Sequence, residues 1–135
     1  MRRVSDDELT SLAEFRYELR RFLRVSENLC KGEGVTPLQY QLLLQTRSSP
    51  DRKWALVGEL AHRLQTSPHG VVALVSRAQA AGLVTRVTAE SDRRQVQVHA
   101  TALGKRLMRR IAAGHLHELG ALSKVFRKIV VSQAE

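Results

Sequence analysis

Residues 91–104, Ser91-Asp92-Arg93-Arg94-Gln95-Val96-Gln97-Val98-His99-Ala100-Thr101-Ala102-Leu103-Gly104, change character twice in a short run. A charged tip, Ser91 to Arg94, gives way to strict alternation. Val96, Val98 and Ala100 fall on one face and Gln95, Gln97 and His99 on the other, the pattern of a half-buried strand. Thr101 then stands where a helix cap is needed, ahead of Leu103, Leu107 and Ile111 at helical spacing. A basic loop, a strand and a capped helix in that order predict a β-wing that the rest of the chain positions.

The preceding residues supply the helices for such a wing. Ser5-Asp6-Asp7-Glu8 reads as a capping box. It opens a long amphipathic helix through Leu9, Leu12, Phe15, Leu19, Phe22, Leu23 and Leu29 that ends near Gly32 and Gly34. Its apolar stripe needs a cover, and a partner subunit is the natural candidate. Thr36-Pro37-Leu38-Gln39 starts a second helix, with Leu38, Leu42 and Leu43 as its apolar side. Lys53-Trp54-Ala55 reads as a short extended link. Leu56, Val57, Leu60, Ala61 and Leu64 give a short helix, Gln65-Thr66 a turn, and Ser67-Pro68 a new start. That helix runs to Ala81 and stops at Gly82. Val84–Val87 and Gln95–Ala100 then read as the strands of a hairpin whose loop is residues 88–94. A helix from Thr101 to about Gly120 follows, and Ser123 caps a short last one. Helix, turn, helix and basic-tipped hairpin make a winged helix-turn-helix: a mainly α fold with a small β-hairpin wing.

Charge says what such a unit meets. The 135 residues carry 22 Lys+Arg against 13 Asp+Glu, a net charge of +9. From Leu60 to His117 the acids are Glu90 and Asp92 alone, whereas Asp6, Asp7, Glu8, Glu14 and Glu18 gather near the N-terminus. A localised basic field favours a polyanionic partner, nucleic acid or an acidic membrane surface. On the helix after Ser67, Val71, Leu74, Val75 and Ala78 face one way. Ser67, His69, Gly70, Ala73, Ser76 and Arg77 face the other. That outward side is small and polar without a long acidic chain, so it can approach base edges in a major groove. Ser67, His69, Gly70, Ala73 and Arg77 are the expected contacts, with Arg77 able to bridge a phosphate or read guanine. Thr36 and Gln39 at their helix start could meet backbone phosphate, although capping explains them equally well.

Other classes are disfavoured. The single cysteine, Cys30, cannot form an intrachain disulfide or a thiolate zinc cluster. His115 and His117 are two apart on a helix and point in different directions, so no metal is expected. There is no nucleophile–base constellation, no glycine-rich phosphate loop and no cofactor motif, and no enzymatic activity is expected. No apolar run is long enough to cross a membrane. The first residues lack an apolar signal region, which makes the cytoplasm the expected compartment.

The chain resembles the MarR family of bacterial transcription regulators. That family's wing signature, D-x-R-x-x-x-V-x-L-T-x-x-G, is matched by Asp92, Arg94, Val98, Thr101 and Gly104, with Ala100 where leucine is usual. Gly58-Glu59-Leu60-Ala61 looks like the family's first helix-turn-helix segment, with Leu56 in place of its threonine cap. The resemblance implies one domain over 1–135, with dimerisation helices at 1–31 and 101–135 and the winged helix-turn-helix at 36–100. It implies a homodimer on a pseudo-palindromic operator of double-stranded DNA, usually repressing, and relieved by a small effector such as an anionic aromatic. In the family pattern Asp92 holds Arg94, and Arg93 or Arg94 enters the minor groove, where negative potential attracts a guanidinium. The family's effector site lies between the dimer helices and the winged domain, where Arg16, Tyr17, Tyr40 and Arg86 would line it. Two other readings stand beside this one. One is a low-specificity architectural DNA-binding protein. The other is a redox-sensing repressor built on Cys30, for which a buried apolar role is the competing explanation.

Overall fold

A computed structural model describes residues 2–89 and 92–134. The chain runs α1 (Asp6–Gly32), α2 (Pro37–Gln45), β1 (Trp54–Leu56), α3 (Val57–Arg63), α4 (Pro68–Ala80), β2 (Val84–Ala89), β3 (Asp92–Ala100), α5 (Ala102–Leu116) and α6 (Leu119–Ala134).

Local chemistry sets most of the helix starts. At α1 the Glu8 N–H donates to Ser5 Oγ at 3.1 Å, and the Ser5 N–H returns to Glu8 Oε1 at 3.0 Å. A hydrogen bond from the Arg2 guanidinium, more than any other contact, holds the Glu8 carboxyl down to about 2. Thr36 and Gln39 close the same reciprocal box on α2, at 3.0 and 3.1 Å. Leu56 has no side-chain acceptor to offer α3, and Glu59 answers from inside the helix: its Oε1 accepts the Leu56 N–H at 3.0 Å. Arg52 pairs with the same carboxylate, and its guanidinium lies 4.3 Å from the centre of the Trp54 ring. The ends of α1 and α4 are set by Gly34 at φ 75° and Gly82 at φ 77°. Each lets the next residue's N–H reach back into the helix, Val35 to Cys30 O and Leu83 to Ala78 O.

The structure corrects the expected layout in four places. Residues 53–55 are more than a link: Trp54–Leu56 pair antiparallel with β3, Trp54 opposite His99, so the sheet has the order β1-β3-β2. Three residues are too few to show an alternation. The wing strands also run further than expected, through Ala89 and from Asp92, with the pairing register shifting between Thr88 and Ala89. The tip, Glu90 and Ser91, lies outside the described residues. On α2, Leu38 is 53% exposed while Tyr40 is buried. The helix after Thr101 ends at Leu116, and Ser123 lies within α6 rather than capping it. The corner is closed by the Glu118 N–H on His115 O, with an Arg21–Glu118 ion pair at 3.5 Å.

One core joins the sheet to α2–α5, through Leu42, Leu43, Leu60, Val71, Val75, Leu83, Val84, Val98 and Ile111. Only the C-terminal part of α1 joins it: Cys30 is fully buried, and Leu29 lies against Gly114 of α5, where a Cβ would sit 3.0 Å from a Leu29 methyl. The N-terminal part of α1 meets α6 instead, with the Phe15 and Phe126 rings 6.1 Å apart. That pairing leaves Leu9, Leu12, Leu116, Phe126, Val130 and Val131 exposed.

Candidate nucleic-acid interface

The α3–α4 turn presents α4. Gln65 takes a positive φ of 54°, which reverses the chain, and the Thr66 N–H returns to Ala61 O at 3.0 Å. Ser67 then caps α4 by accepting the Gly70 N–H at 3.0 Å. Gly70 has a structural reason of its own: a Cβ there would sit 3.0 Å from Thr66 Oγ1 and 3.2 Å from Ser67 Oγ. Val71, Leu74, Val75 and Ala78 are buried, as their spacing predicts, and the opposite side is left open. Ser67, His69, Ser76 and Arg77 are exposed, and Gly70 and Ala73 are half-buried. Among the described residues no ion pair engages Arg77.

Two features of this face go beyond the expected contacts. Val72 is 48% exposed, an apolar group beside Ala73 that could meet a thymine methyl. Residues 61–63 and 65–67 also border an open concavity of about 570 Å³ at the turn, with His62, Arg63 and Thr66 in its wall. Val72 was visible in principle from helical spacing, since residues 69, 72, 73 and 76 share one side of a helix; the concavity depends on how the turn folds and was not.

The wing stands beside α4 on β2 and β3. The backbone of Asp92, Arg93 and Arg94 forms the start of β3, and Asp92 pairs with Ala89. Their side chains lie outside what is described. The far end of the hairpin is held tightly. Thr101 Oγ1 donates to Gly82 O at 2.6 Å and accepts the Gly104 N–H at 3.0 Å. A Cβ on Gly104 would fall 2.2 Å from Leu83 O, so only glycine allows the first turn of α5 to touch the strand entry. Thr36 and Gln39 are engaged with each other in their cap, which accounts for both without a phosphate.

Of the four residues expected around an effector, only Tyr40 borders the cavity between α1, α2, α5 and α6. This cavity holds about 380 Å³ and is walled by Phe22, Ser26, Tyr40, His115 and leucines. The His115 ring lies 3.9 Å from the Phe22 ring, and its Nε2 is 3.2 Å from Phe22 O. Burial pushes the Tyr40 hydroxyl up from its ordinary range. Arg16 and Tyr17 are exposed on α1 outside this wall, because their side of the helix turns away. Arg86 is held elsewhere, by α4. Cys30 is buried, and that burial raises its thiol pKa. Among the described residues no group of three or more His, Cys, Asp or Glu converges, and no helix is long and apolar enough to cross a membrane.

The comparisons agree with this geometry. The model of the MarR family matches residues 33–95, from the end of α1 into the wing. No curated protein sequence matches the chain. Among solved structures, the MarR family transcriptional regulator Sco3205 of Streptomyces coelicolor, solved in complex with DNA, superposes with a TM-score of 0.73 at 21% identity, over 100% of this chain and 90% of that one. AbsC, a MarR family transcriptional regulator of the same organism, gives 0.70 at 23% identity, over 96% and 84%. CouR of Rhodococcus jostii, bound to p-coumaroyl-CoA, gives 0.67 at 24% identity, over 84% and 78%. At these identities the likeness is one of fold.

Proposed function

We propose that this chain, whose residues 33–95 match the model of the MarR family, is a sequence-specific transcriptional regulator: a homodimeric repressor of a pseudo-palindromic operator, released by a small effector. The observation that carries the reading is the exposed face of α4. It is capped by Ser67, free of acidic side chains and set beside a basic wing. In this reading His69, Ala73 and Arg77 enter the major groove, Ser67 and Gly70 bring the helix N-terminus near the backbone, and Arg93 and Arg94, steadied by Asp92, take the minor groove. The net charge of +9 supplies the sequence-independent part of binding.

Dimerisation through 1–31 and 101–135 is supported by the apolar side chains that the α1–α6 pairing leaves in solvent, Leu12, Phe126 and Val130 among them. Exposed apolar side chains gathered on a helix pair of this kind favour a protein contact. The cavity beside His115 suits an effector. It offers aromatic surface with Ser26, Tyr40, Gln41 and His115 as polar groups, and among the described residues neither lysine nor arginine lines it. The anionic effector that the family resemblance implies would find no permanent cation there, so a neutral aromatic suits the site better. We place the protein's action in the cytoplasm and assign it no catalytic step. Cys30 takes a packing role in this scheme, since a buried thiol with a raised pKa yields little thiolate.

The test is footprinting on the DNA upstream of the protein's own coding sequence, with and without a phenolic acid and its neutral amide. A bounded, two-fold symmetric footprint that the amide releases more readily than the acid is the expected result. Even coating of every duplex, at a specific-to-non-specific ratio near one, supports the architectural alternative, which the same basic field would serve.

A further inference from the structure

Arg86 stands in the middle of β2, opposite Val98 of β3, and its side chain leaves the wing for the recognition helix. Its Nη2 donates twice: to Val72 O at 3.2 Å and to Ser76 Oγ at 2.5 Å. Val72 and Ser76 are one helical turn apart on α4, on the exposed side that also carries His69 and Ala73. One exposed side chain thus ties the two elements that must grip a duplex together.

The bonding has a consequence for Ser76. A guanidinium only donates, so the Ser76 oxygen accepts and its own proton must be placed elsewhere. A helical serine ordinarily returns that proton to the carbonyl four residues back, here Val72 O. That oxygen already receives the helical Ser76 N–H and the Arg86 N–H, which occupy both of its lone pairs. Among the described residues the Ser76 hydroxyl donates to nothing. Its proton is left free for an acceptor beyond the described residues, and Ser76 is exposed to meet one.

We propose that Arg86 is a positioning residue that presets Ser76 as a hydrogen-bond donor, and that Ser76 reads one base pair per half-site by donating to an acceptor on the major-groove edge. The acceptors that fit are purine N7, guanine O6 and thymine O4; a cytosine edge presents a donor and is rejected. The inference rests on α4 entering the major groove.

The experiment is selection from a randomised duplex library by the full chain and its Ser76→Ala, Arg86→Ala and Arg86→Lys variants, with salt-dependent affinities for the selected site. Both alanine variants are expected to lose discrimination against cytosine at the same symmetric position, by roughly 2- to 10-fold, the worth of one hydrogen bond. Arg86→Lys should keep part of it. The double variant should lose no more than either single one, because the two side chains act as a unit. Ser76→Ala lies on an exposed helix face and favours helix, so its folding is not at issue. If the wild type is selective and Ser76→Ala leaves every base preference unchanged, the proposal is overturned. It is equally overturned if Arg86→Ala weakens all sequences evenly with a shallower salt slope, which would make Arg86 a phosphate contact. A wild type that selects no sequence overturns the operator-binding reading first, and this proposal with it.

Discussion

Glycine 104 shows how much one residue can fix. Its Cα faces the Leu83 carbonyl so closely that a methyl group would lie 2.2 Å from the oxygen. The obstacle is backbone, which cannot rotate aside as a side chain can. Gly104→Ala should therefore cost about 1–3 kcal/mol or more, the usual penalty of overpacking, measured as a lowered midpoint in chemical denaturation. The sequence motif marked this glycine; the contact that explains it joins residues far apart in the chain. Arg94 is the converse case, a residue whose proposed part lies in binding. Arg94→Ala should leave the circular dichroism spectrum and unfolding midpoint in place while lowering operator affinity at matched salt by roughly tenfold, the scale of one base-discriminating contact. Equal binding by variant and wild type would remove the wing from the interface. Arg86 was legible only as a basic residue on a strand. Its side chain lies against α4 and not in the wall of the α1–α2–α5–α6 cavity, because a long side chain's direction depends on what the fold brings near it.

Helix starts were legible because capping is local chemistry. Ser5, Thr36, Ser67 and Thr101 each accept the N–H three residues on, as their spacing requires. The start of α3 was different, because Leu56 cannot cap. Glu59 takes the orphan N–H and binds Arg52 at once. Glu59→Ala removes both, and a loss of about 1–2 kcal/mol is expected, seen as a melting temperature lower by several degrees. An unchanged melting temperature would mean that β1 alone holds the start of α3. Strand β1 was missed for a related reason. Three residues carry no periodicity, and Trp54–Leu56 become a strand only because β3 offers an unpaired edge. The α5–α6 corner, expected between about Gly120 and Ser123, lies earlier, between Leu116 and Leu119, because the residues around Gly120 keep helical spacing.

For the whole molecule, the apolar side chains exposed on α1, on α6 and at the end of α5 call for a cover. Leu9, Leu12, Leu116, Phe126, Val130 and Val131 would not remain in water at little cost. A homodimer is expected in sedimentation, with a melting temperature that rises with protein concentration. Phe126→Glu should shift the mass toward the monomer and abolish the symmetric footprint, leaving weaker, salt-sensitive binding. A wild type that sediments as a monomer at micromolar concentration would exclude the dimer. By itself the sequence determined the helix caps, the buried stripe of α4, the alternation of β3 and the basic field, since each depends on neighbours one to four residues away or on summed charge. Only the tertiary structure decided the third strand, the approach that demands Gly104, the walls of the cavity and the bond from Arg86 to Ser76. Those depend on which distant surfaces meet, and burial of the shared core, acting without direction along the chain, sets that meeting.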